Sequence, residues 1–548
     1  MPVGTESRSE GAAHAAGCLA RLHCDQDDGI VVADPSAERR AWLRAAYPGL
    51  QIRQAAASTV CAAILERHGD ALQREAVEGL ARRLPELSAR RVVTRPQAVV
   101  LLLLAAGVLA GLLLWPRALL RGLVVLLSVA FVASGLFRAF LAWLGTQAPT
   151  RALPLPVAGL PRYTILVPMY HEAAVLPGLV RALRALDYPA NLLDIKLVLE
   201  ADDAQTIAAA QASAPPGFEI IRVPAHGPRT KPKAANYALQ FARGEYLVIY
   251  DAEDRPEPDQ LRKAVAAFRA GPRTLACVQA RLNFYNADHC WLTKMFALDY
   301  ALWFDMLLPG LDRIGMPMPL GGTSNHFRTE ILRDIGGWDA FNVTEYADIG
   351  IRLAQLSYRV SMIDSTTYEE APIALGAWLR QRSRWLKGYM QTWLVHMRDP
   401  VALLRRAGLG GFLAFQLFIG GGIVFALVNP LLWVAFLASA LPGSPVADIF
   451  GPVPGASLLA NNLLLTYLAM ISPGRRGRGD LAPWGLTVIA YWAMVSIAGY
   501  RALGQLVTKP FYWEKTTHGV TPSFSYEQSE LEKPALGECE RAAPEPPG

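Results

Sequence analysis

The sequence predicts an α/β domain set between two groups of membrane-crossing helices. Long uncharged runs flank a central region, strand-like apolar runs alternate with helical patterns inside it, and acidic residues gather where those runs end. Of the 548 residues 52% are apolar and only 18% charged, below the roughly 25% of soluble chains. Together with a mean hydropathy of +0.22, this argues against a disordered or purely soluble chain. The 53 basic and 47 acidic residues leave +6, too thinly spread to indicate a nucleic-acid partner. A basic surface facing anionic lipid fits better. Cys18, Cys24, Cys61, Cys277, Cys290 and Cys539 form no CxxC pair, so neither a disulfide framework nor a zinc site is indicated, and a reducing compartment fits.

The run 97–116 carries no charge over 20 residues, enough to cross a hydrocarbon core, and it starts too late for a signal peptide. A second span, 122–145, is interrupted only by Arg138, and the link 117–121 makes the two a hairpin. Beyond the central region 407–447, 449–474 and 481–500 are uncharged for 41, 26 and 20 residues. Arg90, Arg91 and Arg95 precede the first span, and Arg151, Arg162, Arg382, Arg384, Lys387, Arg405 and Arg406 flank the central region. The positive-inside rule therefore puts the N-terminal and central regions in the cytoplasm. The segment 407–447 reads either as two short spans broken at Asn429 and Pro430 or as an interfacial helix plus one span. Arg475, Arg476 and Arg478 favour the latter, which leaves the C-terminal tail on the far side; two spans would return it. The expected organisation is a small cytoplasmic α/β domain over 1–92, a transmembrane hairpin over 97–145 and an α/β domain over 151–406. Interfacial and transmembrane helices follow over 407–508, then a tail over 509–548 whose Glu- and Pro-rich end, 523–548, reads as disordered.

In the central region, strand-like runs at 163–170, 195–201, 219–223, 245–251 and 275–282 alternate with helical patterns at 176–186, 234–242 and 259–270. This reads as βαβ units on a mostly parallel sheet, which binds ligands at the carboxyl ends of its strands. Glu172 follows the first run; Glu200, Asp202 and Asp203 end the second; Asp251, Glu253 and Asp254 end the fourth. A nucleotide site with a metal is the natural expectation. Taken singly, each piece has a plainer account. The acidic segments 199–203 and 251–258 could cap helices, the lysines of 230–236 could be solvated, and 381–393 could be an interfacial helix with an aromatic belt.

In their order, however, these segments resemble the family 2 glycosyltransferases, specifically the membrane-embedded processive branch of cellulose, curdlan and other β-glucan synthases. The resemblance runs from about Tyr163 to Val395. VPMYHE at 167–172 resembles the opening strand, LEADD at 199–203 the acidic element that contacts uracil and ribose, and KPKAAN at 231–236 the lysine-containing nucleotide motif, with Lys233 the best match. DAED at 251–254 is similar to the DxD motif with Glu253 in place of the second Asp, QRSRW at 381–385 to the QxxRW signature, and the loop with Gly321 and Gly322 to the acceptor-side loop. The resemblance implies a GT-A type nucleotide-sugar transferase domain in a multi-pass inner-membrane protein, inverting and processive, with its catalytic domain cytoplasmic. It implies a UDP-sugar donor, UDP-glucose foremost, a growing polysaccharide acceptor, the lipid bilayer, and export or regulatory subunits as partners. The rival readings are transfer to a lipid acceptor and a catalytically impaired regulatory subunit.

The chemistry asks for these residue types. A departing nucleoside diphosphate develops charge that a carboxylate-held divalent cation stabilises, and oxygen ligands with diphosphate select Mg²⁺ or Mn²⁺. Asp251, Glu253 and Asp254 would hold it. Gln381, Arg384 and Trp385 fall at i, i+3 and i+4 and share a helix face, with Arg384 on the diphosphate and Trp385 on the acceptor sugar. Inversion needs a carboxylate base, which the family supplies as the Asp of a TED motif; here the motif reads Thr344, Glu345, Tyr346, and tyrosine is a poor base near neutrality. Glu345 and Asp348 are the replacements, with Asp348 favoured. The stretch 511–519 is only loosely similar to the gating loops of related synthases and reads better as a membrane-exit anchor. The N-terminal stretch 30–72 resembles the latter half of the N-terminal domain of type II secretion ATPases, implying a docking or regulatory module, but the glycine- and leucine-rich cyclic di-GMP motif is not evident.

Overall fold

The computed structural model describes residues 19–24, 27–32, 45, 51–54, 57–147, 155–156 and 158–514; the expected disordered end at 523–548 and the gating-like residues after 514 lie outside them. Strands β1 (Leu19–Cys24), β2 (Asp27–Val32) and β3 (Gln51–Gln54) form a small sheet, antiparallel then parallel, followed by helix α1 (Ala57–Arg83). The boundary expected at residue 92 does not separate two cores. Leu72 and Ala76 of α1 belong to the main apolar cluster. The Leu72 and Ala76 carbonyls accept hydrogen bonds from Gln240 and Asn236 at 2.9 and 3.0 Å.

The membrane segment begins with α2 (Arg95–Leu114), started by a capping box in which Thr94 and Gln97 satisfy each other's backbone amides. Helix α3 (Pro116–Thr146) follows after Trp115 alone. The expected link 117–121 is therefore helical: Pro116, at the first helical position, restarts the helix at once. Where α3 reaches the catalytic domain the backbones nearly touch.

The central domain runs through β4 (Tyr163–Met169), α4 (Leu176–Arg184), β5 (Leu193–Glu200), α5 (Ala204–Ser213), β6 (Phe218–Val223), α6 (Lys231–Leu239), β7 (Tyr246–Ile249), β8 (Arg255–Pro256), α7 (Gln260–Ala270) and β9 (Leu275–Phe284). It continues with α8 (Trp291–Leu302), α9 (Leu308–Arg313), β10 (Asn325–Arg328), α10 (Glu345–Gln355), β11 (Arg359–Glu369) and α11 (Leu375–His396). The sheet order is β6-β5-β4-β7-β10-β9-β11-β8. The half β6-β5-β4-β7 is wholly parallel, and β10 pairs antiparallel with both neighbours. This is the mixed, curled α/β sheet of GT-A glycosyltransferases. Because helices cover both faces, β4 and β7 are almost continuously apolar rather than alternating, and β5 is buried along its length with Asp194 and Lys196 paired inside it. Chain order reverses at β4, with β5 on one side and β7 on the other, which opens a crevice at their carboxyl ends.

Beyond α11 come α12 (Pro400–Phe415), α13 (Gly421–Ser439), α14 (Pro452–Ile471) and α15 (Val488–Thr508). The break expected at Asn429 and Pro430 is absent: Pro430 sits inside α13. The break lies instead at Gly408, whose φ of +71° a side chain would resist. Among the described residues five helices are long and apolar enough to cross a membrane by length and composition. One of them does not run like the rest: both ends of α15 touch the catalytic domain. Trp291 Nε1 donates to Thr487 Oγ1 at its start (2.8 Å), and Lys387 Nζ donates to the Lys509 and Tyr512 carbonyls at its end (3.2 and 2.7 Å). Between those ends α15 lies along α11 and crosses α13, where Tyr500 donates to the Leu427 carbonyl.

A Cβ on Gly145 of α3 would lie 2.0 Å from the Met306 carbonyl oxygen, and one on Gly310 of α9 would lie 2.2 Å from that of Leu141. This reciprocal contact seats the hairpin on the catalytic domain. Gly145→Ala and Gly310→Ala should each destabilise by about 1–3 kcal/mol through overpacking. Thermal unfolding of the detergent-solubilised protein checks this, with Gly122→Ala, where a Cβ meets nothing within 4 Å, as the neutral control.

Candidate active site

The crevice at the ends of β4 and β7 is the donor end of a cavity of about 550 Å³ that continues past α11 to the membrane helices. Asp251 and Glu253, just beyond β7, and Glu172, just beyond β4, line it. Asp254 does not face it in the same way. Its Oδ2 accepts from the Asp251 amide (2.7 Å) and from Thr323 Oγ1, while Oδ1 has no partner among the described residues. Burial, with Asp251 and Glu253 adding repulsion, pushes its carboxyl well above the usual range. Glu369, also in the wall, is raised the same way by burial and then by Asp254, Asp251 and Glu253.

The two lysines of 231–233 have exchanged their expected places. Thr230 caps α6 through the Lys233 amide, so Lys231 stands at the first helical position, facing the cavity. Its ammonium ion-pairs with Asp251, donates to the Gly322 carbonyl at 3.1 Å and lies 4.9 Å over the Tyr346 ring. Lys233, two residues further into the helix, is 0% exposed and bonded to Glu200 Oε2 at 2.8 Å and the Pro224 carbonyl. The sequence signal was the position of Thr230 as cap rather than motif register. Glu200 reaches the cavity wall, whereas Asp202 is exposed outside it, paired at 2.7 Å to Arg229, which lines the wall.

Gln381, Arg384 and Trp385 of α11 all line the cavity, as does the loop with Gly321 and Gly322. Arg384 donates to the Glu514 carbonyl at 3.0 Å and lies 4.6 Å over the Trp513 ring, so residues 511–514 close this side. The candidate bases separate. Glu345, 3% exposed at the start of α10, lines the cavity. Burial pushes it up to about 7, with Lys231 and Arg384 pulling it back and Asp251 adding. Asp348, 0% exposed, is turned into the core to His396 Nε2 at 3.1 Å and to Arg352, its i+4 neighbour, at 3.5 Å. One helical turn suffices to carry it off the cavity. Sequence reasoning also missed Lys231, Glu369 and the cavity-facing Tyr346, whose buried hydroxyl has no partner among the described residues.

Among the described residues no three His, Cys, Asp or Glu groups converge to hold a metal. The donor set nevertheless fits a Mg²⁺ or Mn²⁺ ion delivered with a diphosphate, because such ions take one or two protein carboxylates and fill their shell from phosphate and water. Asp251 and Glu253 stand where those two would be, and Asp254 accepts from the Asp251 amide behind them.

Residues 246–495 match the family model described as Glycosyl transferase family group 2. The match begins at β7 of the central α/β domain and runs on into the membrane helices. The probable glycosyltransferase YdaM of Bacillus subtilis is 25% identical to the chain over 233 residues, covering 42% of this chain and 55% of its own. The β-monoglucosyldiacylglycerol synthase of Trichormus variabilis is 27% identical over 241 residues, covering 43% and 50%. A probable glucomannan 4-β-mannosyltransferase of Oryza sativa is 28% identical over 240 residues, covering 42% of each. The chain spans about half the length of the curated relatives it matches. Among solved structures, the mannosyltransferase PcManGT from Pyrobaculum calidifontis, in complex with GDP-Man and Mn²⁺, is 22% identical, with a TM-score of 0.45 over 70% of this chain and 99% of its own.

For the transferase domain, the lysine exchange has a direct consequence. Lys233→Ala leaves buried Glu200 without its cation and should destabilise by about 3–5 kcal/mol, whereas Lys231→Ala, which faces solvent in the cavity, should cost far less. Parallel melting curves of the two variants check the ranking.

Proposed function

We propose that the protein transfers a sugar from a UDP-sugar, UDP-glucose being the first donor to test, to an acceptor hydroxyl presented from the membrane, and that it extends a β-linked polysaccharide. One observation carries this reading: a single cavity joins Asp251 and Glu253 to Glu345, to Gln381, Arg384 and Trp385, and onward to the membrane helices. Asp251 and Glu253 would hold the divalent ion, which when bound supplies charge stabilisation at the diphosphate. Lys231 and Arg384 contribute fixed positive charge at the same place. Glu345 takes the proton of the acceptor hydroxyl, that oxygen bonds to the anomeric carbon, and the bond from that carbon to the diphosphate oxygen breaks with its electron pair leaving on UDP. Attack from the opposite face inverts the anomeric centre. Trp385 offers its face to the acceptor sugar.

Uridine, the polymer and processivity rest on the QxxRW and LEADD resemblances. The relatives' names divide between a glucolipid synthase and glucomannan mannosyltransferases. A lipid acceptor is the second reading, favoured by the cavity's reach to Arg138 on α3. Product length from radiolabelled UDP-glucose separates the two, and failure of the purified protein to release UDP in the presence of Mg²⁺ or Mn²⁺ would favour the impaired regulatory subunit.

The contacts at both ends of α15 support four crossings, by α2, α3, α13 and α14, with α15 lying along the membrane surface. The chain after Thr508 then stays on the catalytic side. A C-terminal fluorescent-protein fusion should glow and an alkaline phosphatase fusion should be inactive; the reverse pattern refutes this topology.

Because a base must be unprotonated, the rate should rise as pH climbs through about 7, the value to which Glu345 is pushed. Glu345→Gln should lower the transfer rate by about a hundredfold or more while UDP binding persists. Asp348→Asn, which disturbs the core pairs with His396 and Arg352, should lower the melting temperature with a smaller loss of rate. Equal losses in both variants would remove Glu345 from the role of base.

A further inference from the structure

The membrane end of the cavity carries a cation that the sugar transfer just described does not use. Arg138 lies on α3 seven residues before Gly145, the point where the helix meets the catalytic domain, or about 10 Å deeper by helical rise. It lines the same cavity as Asp251 and Glu345. Its guanidinium has one long hydrogen bond, 3.5 Å to the Phe418 carbonyl, and stands 5.2 Å from the Phe418 ring centroid. Among the described residues no carboxylate lies within ion-pair distance of it. The nearest acidic neighbour, Asp299, is already engaged at 2.8 Å by Arg382. A Cβ on Gly422 of α13 would lie 3.6 Å from an Arg138 nitrogen, so α13 passes close beside the guanidinium.

An arginine inside a membrane segment is costly, and it is kept where it faces a polar pathway or a counter-ion. Neutral sugar hydroxyls would be served by the aromatic and amide groups nearer α11; a planar fork of unpaired donors instead matches the oxygens of a phosphate. We propose that Arg138 docks the phosphate of an anionic lipid acceptor, whose hydroxyl then extends along the cavity toward Glu345. The proposal rests on the sugar-transfer reading and names the acceptor class for it, as sole acceptor or as primer of a chain.

The test uses the full-length protein in nanodiscs of phosphatidylcholine, with phosphatidylglycerol or diacylglycerol added as acceptor probes and UDP-glucose as donor. UDP release to water, without acceptor, is recorded alongside. The expected result is transfer to phosphatidylglycerol with a lower apparent KM than to diacylglycerol. Arg138→Gln should raise that KM by about tenfold or more, the scale of a charge-assisted pair, with kcat and acceptor-free UDP release little changed. Arg138→Lys should fall between, since it keeps the charge but loses the fork. The proposal is overturned if diacylglycerol or a neutral or uronate-bearing oligosaccharide is preferred, if phosphatidylglycerol takes no sugar, or if Arg138→Gln leaves the acceptor KM unchanged. Absence of UDP release in every preparation would instead strike the sugar-transfer reading itself.

Discussion

Everything in the transferase domain is arranged around a surplus of carboxyl groups in one confined space. Asp251, Glu253, Glu345 and Glu369 line the cavity with Asp254 buried behind them, and Lys231 and Arg384 bring positive charge among them. Five full negative charges at such spacing would not coexist in a low-dielectric site. The structure resolves this by burial: Asp254 and Glu369 are held toward the protonated form, Glu345 is poised near neutrality, and Asp251 is left paired to Lys231. On the proposed mechanism a divalent ion with its diphosphate would enter by exchanging with the lysine at Asp251.

The second constraint is mechanical. Helix α11 carries Gln381, Arg384 and Trp385 on the cavity side and contacts α15 along its length on another, so the site and the membrane region share one rigid element. Gly388 lets that element approach α10 closely: a Cβ there would meet Thr344 Oγ1 at 2.1 Å. The start of α10, and with it Glu345, is therefore registered against the same helix that holds Arg384. Base and diphosphate anchor are fixed relative to each other by backbone packing rather than by flexible side chains.

Much of this was legible in the sequence, and the misses have a common origin. Strands with both faces buried announce themselves as apolar runs, and acidic residues at their carboxyl ends marked Glu172, Asp251 and Glu253 as cavity residues. What linear spacing could not give was the direction of a side chain within a single helical turn. Lys231 and Lys233 differ by two positions, Glu345 and Asp348 by three, and in each pair one residue faces the cavity while the other is spent on a buried ion pair. The partner that decides the matter, Glu200 for Lys233 and His396 with Arg352 for Asp348, comes from elsewhere in the chain. The break at Gly408 instead of Pro430 has a different cause. In an apolar helix proline costs one hydrogen bond and is absorbed, whereas a glycine in the left-handed region turns the chain outright.

Tyr346 then ceases to be an anomaly. In place of a second carboxylate beside Glu345 it presents a ring face to Lys231 and a hydroxyl to the cavity. A carboxylate at that position would add another acid to a cluster already crowded with them, and would compete with Asp251 for the same lysine. An aromatic ring attracts the ammonium without bearing a full charge, which leaves the lysine shared and Glu345 as the one carboxyl near neutrality on the acceptor side. On the proposed mechanism the burden of proton removal moves by one residue along the helix, and the raised position of Glu345 follows from the same burial that encloses Tyr346.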